Sequence, residues 1–191
     1  LVMAYLAAAW KLFGFAVPVT RAAMLVVGAG TITAAFLVAG RLAGRRAAWT
    51  TAVLIAVSPP FVAQSMLAHL DLAAAMWALL SLYWFLEGRW GLASAAATAL
   101  VLTKETGLIV PLALAVFSRG NPKRVLVLLV PPVAALGSWL LYLQATTGHW
   151  LGSAEFARYN VGEALDLWRP PLVLLRRLYQ LGFANFHWIA T

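Results

Sequence analysis

The stretch 91-GLASAAATALVLTKETGLIVPLALAVF-117 decides how this chain is threaded. Lys104 and Glu105 are its only ionisable side chains, set side by side in 27 otherwise apolar, small or hydroxyl-bearing residues. One helix of that length would cross a bilayer core of about 30 Å in a single pass. Two limbs, 91–102 and 107–117, would each rise only about 16–18 Å and would form a short hairpin with the charges at its tip. The residues on either side choose between the two.

The bulk composition sets the solvent. The chain has 191 residues, of which 63% are hydrophobic and 10% charged. Soluble domains carry roughly 25% charged residues, so a multi-span membrane protein is expected, all-α, as a polytopic transmembrane helix bundle. The net charge of +8 could signal nucleic acid only if the basic residues formed one solvated patch. Instead they fall in short clusters between apolar runs, as membrane topology places Lys and Arg, so no nucleic-acid partner is expected. There is no Cys, which excludes disulfides and thiolate metal sites. The chain opens at Leu1-Val2 without an initiator Met and stops as 186-FHWIAT-191 begins another apolar run, so it reads as an internal fragment.

Five apolar regions follow one another: about 15–40, 47–68, 72–86, 91–117 and 125–145. The basic clusters 41-RLAGRR-46 and 118-SRGNPKR-124 should both face the cytoplasm. Regions 47–68 and 72–86 go out and come back, which returns Arg89 of 87-EGRW-90 to the same side. Between Arg89 and Arg119 the chain must then cross an even number of times or not at all. The hairpin keeps that rule and the single crossing breaks it. The expected layout is an interfacial helix at 1–13, membrane helices over 15–145 with a short hairpin at 91–117, an extracytoplasmic loop at 146–182, and the start of another span at 183–191.

Ionisable groups at membrane depth cost about 2.5–3.5 kcal/mol each on insertion scales, so they should face a cavity or a partner. Lys104 can pair locally with Glu105, can snorkel to an interface, or can meet an anionic group with Thr103 and Thr106 as added donors. Asp71 in 65-SMLAHLDLAA-74 can cap the next helix. It can also act with His69 on a sugar hydroxyl, a divalent ion or a basic group. Two ligands do not make a metal site, so neither a metal nor another cofactor is assigned. Arg158, Arg169, Arg176 and Arg177 suit lipid headgroups, while His149 and His187 are solitary.

The order of these features resembles the membrane core of GT-C glycosyltransferases, in the protein O-mannosyltransferase and aminoarabinose transferase branch. The segments that carry it are 1-LVMAYLAAAWKLFGFAVPVTRAAMLVVGAG-30, 41-RLAGRR-46, 57-VSPPFVAQSMLAHLDLAAAMWALLSLYW-84 and 98-TALVLTKETGLIVPLALAVF-117. The likeness covers most of residues 1–120 and is looser beyond. It implies an inverting enzyme of the inner (plasma) membrane that takes a sugar from a polyprenyl-phosphate donor on the extracytoplasmic side. It also implies that the catalytic Asp falls upstream of Leu1, in the loop before the interfacial helix. Asp71 then matches the family's acidic position at an outer helix end, Lys104 its Thr-Lys motif with Thr103, and Arg21 an arginine that follows the interfacial helix. His69 joins these as a candidate substrate contact.

A transporter or lipid flippase is the alternative reading, with Lys104, Glu105 and Asp71 lining a path. An inverted repeat would favour it, and none is evident. A scaffold whose membrane charges only pair with neighbours fits as well. Sugar, acceptor and oligomeric state are not encoded in any motif.

Overall fold

The computed structural model describes residues 1–150 and 168–182, and among these every regular element is helical. In chain order they are α1 (Val2–Phe13), α2 (Val17–Val57), α3 (Pro59–Ser65), α4 (Leu70–Leu86), α5 (Trp90–Thr103), a 3-10 turn (Glu105–Leu108), α6 (Ile109–Phe117), α7 (Pro122–Thr147) and α8 (Arg169–Gly182). Two compact units divide the chain, Leu1–Ser138 and Trp139–Thr191. The features expected at 151–167 and 183–191, including Arg158 and His187, lie outside the described residues.

In the first unit, α2 is two arms and not one rod. Gly44 sits at φ 83° and ψ 177°, a left-handed conformation that costs glycine nothing for want of a Cβ. Phe36 and Trp49 would lie about 20 Å apart along a continuous helix. Their ring centroids are 5.1 Å apart and Gly40 approaches Ala48, so the chain folds back at Gly44. The expected basic loop 41–46 is therefore wound as helix on both sides of this bend.

The first arm runs beside α4 in the same direction. Gly28 lies against Leu72, Gly30 against Met76, and Arg41 Nε meets Glu87 Oε1 at 2.8 Å. Thr31 Oγ1 lies 2.9 Å from the Val27 carbonyl of its own helix and 3.2 Å from the Leu72 carbonyl of α4, so its one proton is shared between the two and the buried hydroxyl is satisfied. Helix α1 doubles back through Gly14 and seals the pair at one end. Its Val2 and Leu6 pack with Ala23, Met24, Val27, Leu72 and Ala73, and Tyr5 Oη donates to the Ala23 carbonyl at 3.0 Å.

Helix α4 ends in a Schellman motif. The Gly88 amide, at φ 72°, donates to Phe85, and the Arg89 amide donates to Trp84 at 2.9 Å. Helix α5 then returns antiparallel with a small-residue face, on which Ala93, Ser94, Ala96 and Ala97 are all buried. Small side chains let two backbones approach closely where lipid offers no hydrophobic drive between helices. Ser81, fully buried, donates from Oγ to the Ala93 carbonyl at 2.9 Å.

After α5 the chain turns again. Leu114 of α6 shares a buried cluster with Ala93 and Leu128, against Leu82 and Phe85, which places it back at the level where α5 began. Residues 91–117 are thus two short helices about a turn at 104–108. Helix α5 rises about 21 Å and α6 about 14 Å, both short of a bilayer core.

By length and composition α2 and α7 could cross a membrane, and α3 with α4 could add a third as one span bent by 109°. Pro131 and Pro132 lie inside α7, where neighbouring groups must satisfy the freed carbonyls. In the second unit, α8 presents Leu172, Leu174, Leu175 and Leu178 exposed.

Candidate functional site

Three helix ends meet at the start of α4. Ser58 is extended, as the residue before a proline prefers, and Pro59-Pro60 open α3. The sharp bend after Ser65 brings His69 to the N-terminal boundary of α4 in extended conformation. The capping alternative for Asp71 does not hold. His69 occupies the N-cap without a side-chain hydrogen bond, and Asp71 sits one residue inside the helix.

Asp71 faces two partners. Oδ1 accepts from Lys104 Nζ at 2.5 Å, and Oδ2 lies 3.0 Å from His69 Nδ1. Lys104 therefore pairs with a residue 33 positions away and not with its neighbour Glu105. Glu105 opens the 3-10 turn, exposed, with no ion pair among the described residues.

The turn aims Lys104 by ordinary backbone rules. Thr103 ends α5, and Lys104 is extended at φ −151°. The Lys104 amide still bonds the Leu100 carbonyl, while its own carbonyl accepts from the Gly107 amide, both at 2.8 Å. Gly107 is required by space. A Cβ there would meet Leu100 Cγ at 2.5 Å, and Leu100 is itself only 2% exposed.

The other expected contacts distribute differently. Thr103 is buried and its Oγ1 donates to Ala99 at 2.7 Å, so it is a helix-terminal hydroxyl turned onto its own backbone. Arg21 is exposed on the first turn of α2 and joins no ion pair among the described residues. No group of three or more His, Cys, Asp or Glu that could hold a metal gathers among the described residues.

The Asp71–Lys104 pair is half exposed, at 48% and 43% of the side chains. An ion pair so open is worth at most about 1 kcal/mol to folding in water. Stability is thus a weak reason for it. The ammonium has three donors and Asp71 takes one, leaving two for a ligand or for water.

Asp71 lines an open groove of about 580 Å³ together with Ile55, Phe61, Leu72 and Leu79, and Thr31, Ser58 and Gln64 add polar groups to its wall. Gln64 escaped the sequence reading, although a lone amide in the apolar run 59–67 is a usable signal.

Arg41, Arg89 and Arg124 lie at the opposite end of α4. Arg41 pairs with Glu87, Arg89 lies 5.2 Å over Trp84, and Arg124 lies 4.4 Å over Trp90. Asp71 and Glu87 are about 24 Å apart along the helix. No family model, no curated protein and no solved structure matches the chain.

Proposed function

We propose that the chain is part of an integral membrane glycosyltransferase that takes a sugar from a polyprenyl-phosphate donor on the extracytoplasmic side. The observation that carries this reading is the pairing of Lys104 with Asp71, which itself lines an open, largely apolar groove. An anionic headgroup with a long hydrocarbon tail needs that combination: a cation with spare donors beside a hydrocarbon-lined hollow.

In this reading Lys104 holds the lipid phosphate as it departs, and the prenyl chain follows the wall formed by Phe61, Leu72 and Leu79. An acceptor hydroxyl attacks the anomeric carbon, and the sugar–phosphate bond breaks with its electron pair on phosphate. The acceptor proton passes to a general base as the new bond forms, and cationic groups stabilise the departing phosphate. Asp71 fixes Lys104, with His69 beside its other carboxylate oxygen.

The test is sugar transfer from a polyprenyl-phosphate donor by the full-length protein, wild type and Lys104→Ala. Loss of about 100-fold or more in kcat/KM is expected, within the range that removal of one charge-stabilising group produces. A wild-type rate in the variant rejects the phosphate role. Flipping of a labelled lipid phosphate without any transfer would favour the transporter reading instead.

A further inference from the structure

The second unit carries a surface that the transferase reading does not use. Helix α8 is RPPLVLLRRLYQLG, with no acidic residue. At 100° per residue, Leu172, Leu174, Leu175 and Leu178 fall on one half of its circumference. Arg176, Arg177 and Gln180 fall on the other, with Val173 among them. Arg177 Nη1 donates to Gln180 Oε1 at 3.1 Å, so the polar face is tied along its own length. The four leucines are 56–67% exposed, and both arginines are exposed.

A solvated helix has no use for four exposed leucines in one stripe. A spanning helix needs about 20 apolar residues, and this one has 14 with two adjacent arginines near its middle. Large amphipathicity, a polar face with arginines and no acid, and modest length together describe a helix that lies in the headgroup plane. The same chain holds two helices long and apolar enough to cross a bilayer, so a membrane surface is within reach. Charge complementarity selects the lipid: three arginines and no anion in this helix favour phosphatidylglycerol-type headgroups over zwitterionic ones.

We infer that α8 is an interfacial helix that seats Leu172, Leu174, Leu175 and Leu178 in the acyl boundary and sets Arg176 and Arg177 on anionic phospholipid. It stands whether or not the chain transfers sugar.

Because the sequence has no Cys, single cysteines report cleanly. The full-length protein is reconstituted in vesicles of phosphatidylcholine, alone or mixed with phosphatidylglycerol, with an environment-sensitive fluorophore on Leu178→Cys or Val173→Cys. In the mixed vesicles the Leu178 probe should shift to the blue, be quenched by acyl-chain spin label and resist aqueous iodide. The Val173 probe should do the reverse. Replacing Arg176 and Arg177 by Gln should lower the preference for anionic vesicles by about fivefold per arginine, from roughly 1 kcal/mol each. Equal iodide quenching at both sites overturns the inference, because the helix is then solvated. A Leu178 probe shielded from both quenchers also overturns it, because protein then covers the leucines. Identical behaviour in both lipid mixtures overturns the anionic assignment.

Discussion

Lys104 Nζ stands 2.5 Å from Asp71 Oδ1, across 33 positions of sequence, while Glu105 next to it has no ionic partner among the described residues. The carboxylate that neutralises the lysine therefore competes with any second anion that the lysine binds. Asp71→Asn removes that competitor and leaves a side chain of the same size. It should tighten binding of sugar-free polyprenyl phosphate while slowing transfer, since Lys104 is no longer fixed. Titration with the lipid and a kcat measurement on the full-length protein read the two effects separately. The melting temperature should move little, because a half-exposed pair contributes at most about 1 kcal/mol.

Gly107→Ala should loosen the turn that carries Lys104. The added methyl meets Leu100 Cγ at 2.5 Å inside a packed contact. Overpacking of this kind costs typically 1–3 kcal/mol. Thermal melting in detergent should show the loss, and Leu100→Ala in the same chain should recover part of it. Strict additivity of the two changes would show that they do not touch.

Ser81→Leu tests the α4–α5 seam. Ser81 is fully buried and its hydroxyl reaches the Ala93 carbonyl at 2.9 Å, so a leucine has no room there. A destabilisation of about 1–3 kcal/mol is expected, with lower transfer because α5 sets the position of Lys104. Ser81→Ala should cost about 0.6 kcal/mol, the average for such a hydrogen bond between membrane helices.

Cysteine labelling separates the two ends of the bundle. Thr106→Cys and Met66→Cys sit near the Lys104 turn and the α3–α4 bend, and should react with a membrane-impermeant reagent from the outer side. Gly120→Cys and Arg46→Cys sit at the basic end and should react from the cytoplasmic side. Thr106→Cys reacting only from the cytoplasmic side would reverse the orientation.

The helical fold and the turn at 104–108 were legible because both rest on composition and short-range punctuation. Few charges, Gly107 and the basic residues flanking 91–117 suffice to propose two short limbs. The fold-back at Gly44 was partly legible: the basic cluster marked the place, but the backbone conformation of one glycine sets the bend, and Gly40 in the same segment carries no such signal. At the site, His69, Asp71 and Lys104 could each be singled out as costly polar groups in apolar surroundings. Their pairing could not, since Glu105 is adjacent in sequence while Asp71 becomes adjacent only once α4 and α5 pack antiparallel. Thr103 and Arg21 illustrate the converse. Each looks available in sequence; Thr103 turns its hydroxyl onto the Ala99 carbonyl, and Arg21 joins no ion pair among the described residues.

The most direct measurement is the affinity of sugar-free polyprenyl phosphate for the full-length protein in lipid nanodiscs, wild type against Lys104→Ala. Loss of a charge-assisted hydrogen bond of about 1.5–3 kcal/mol predicts binding weakened about 10- to 100-fold, with Lys104→Arg between the two. An unchanged affinity in Lys104→Ala, with the fold intact by melting, would contradict the account: the lysine would then serve Asp71 alone.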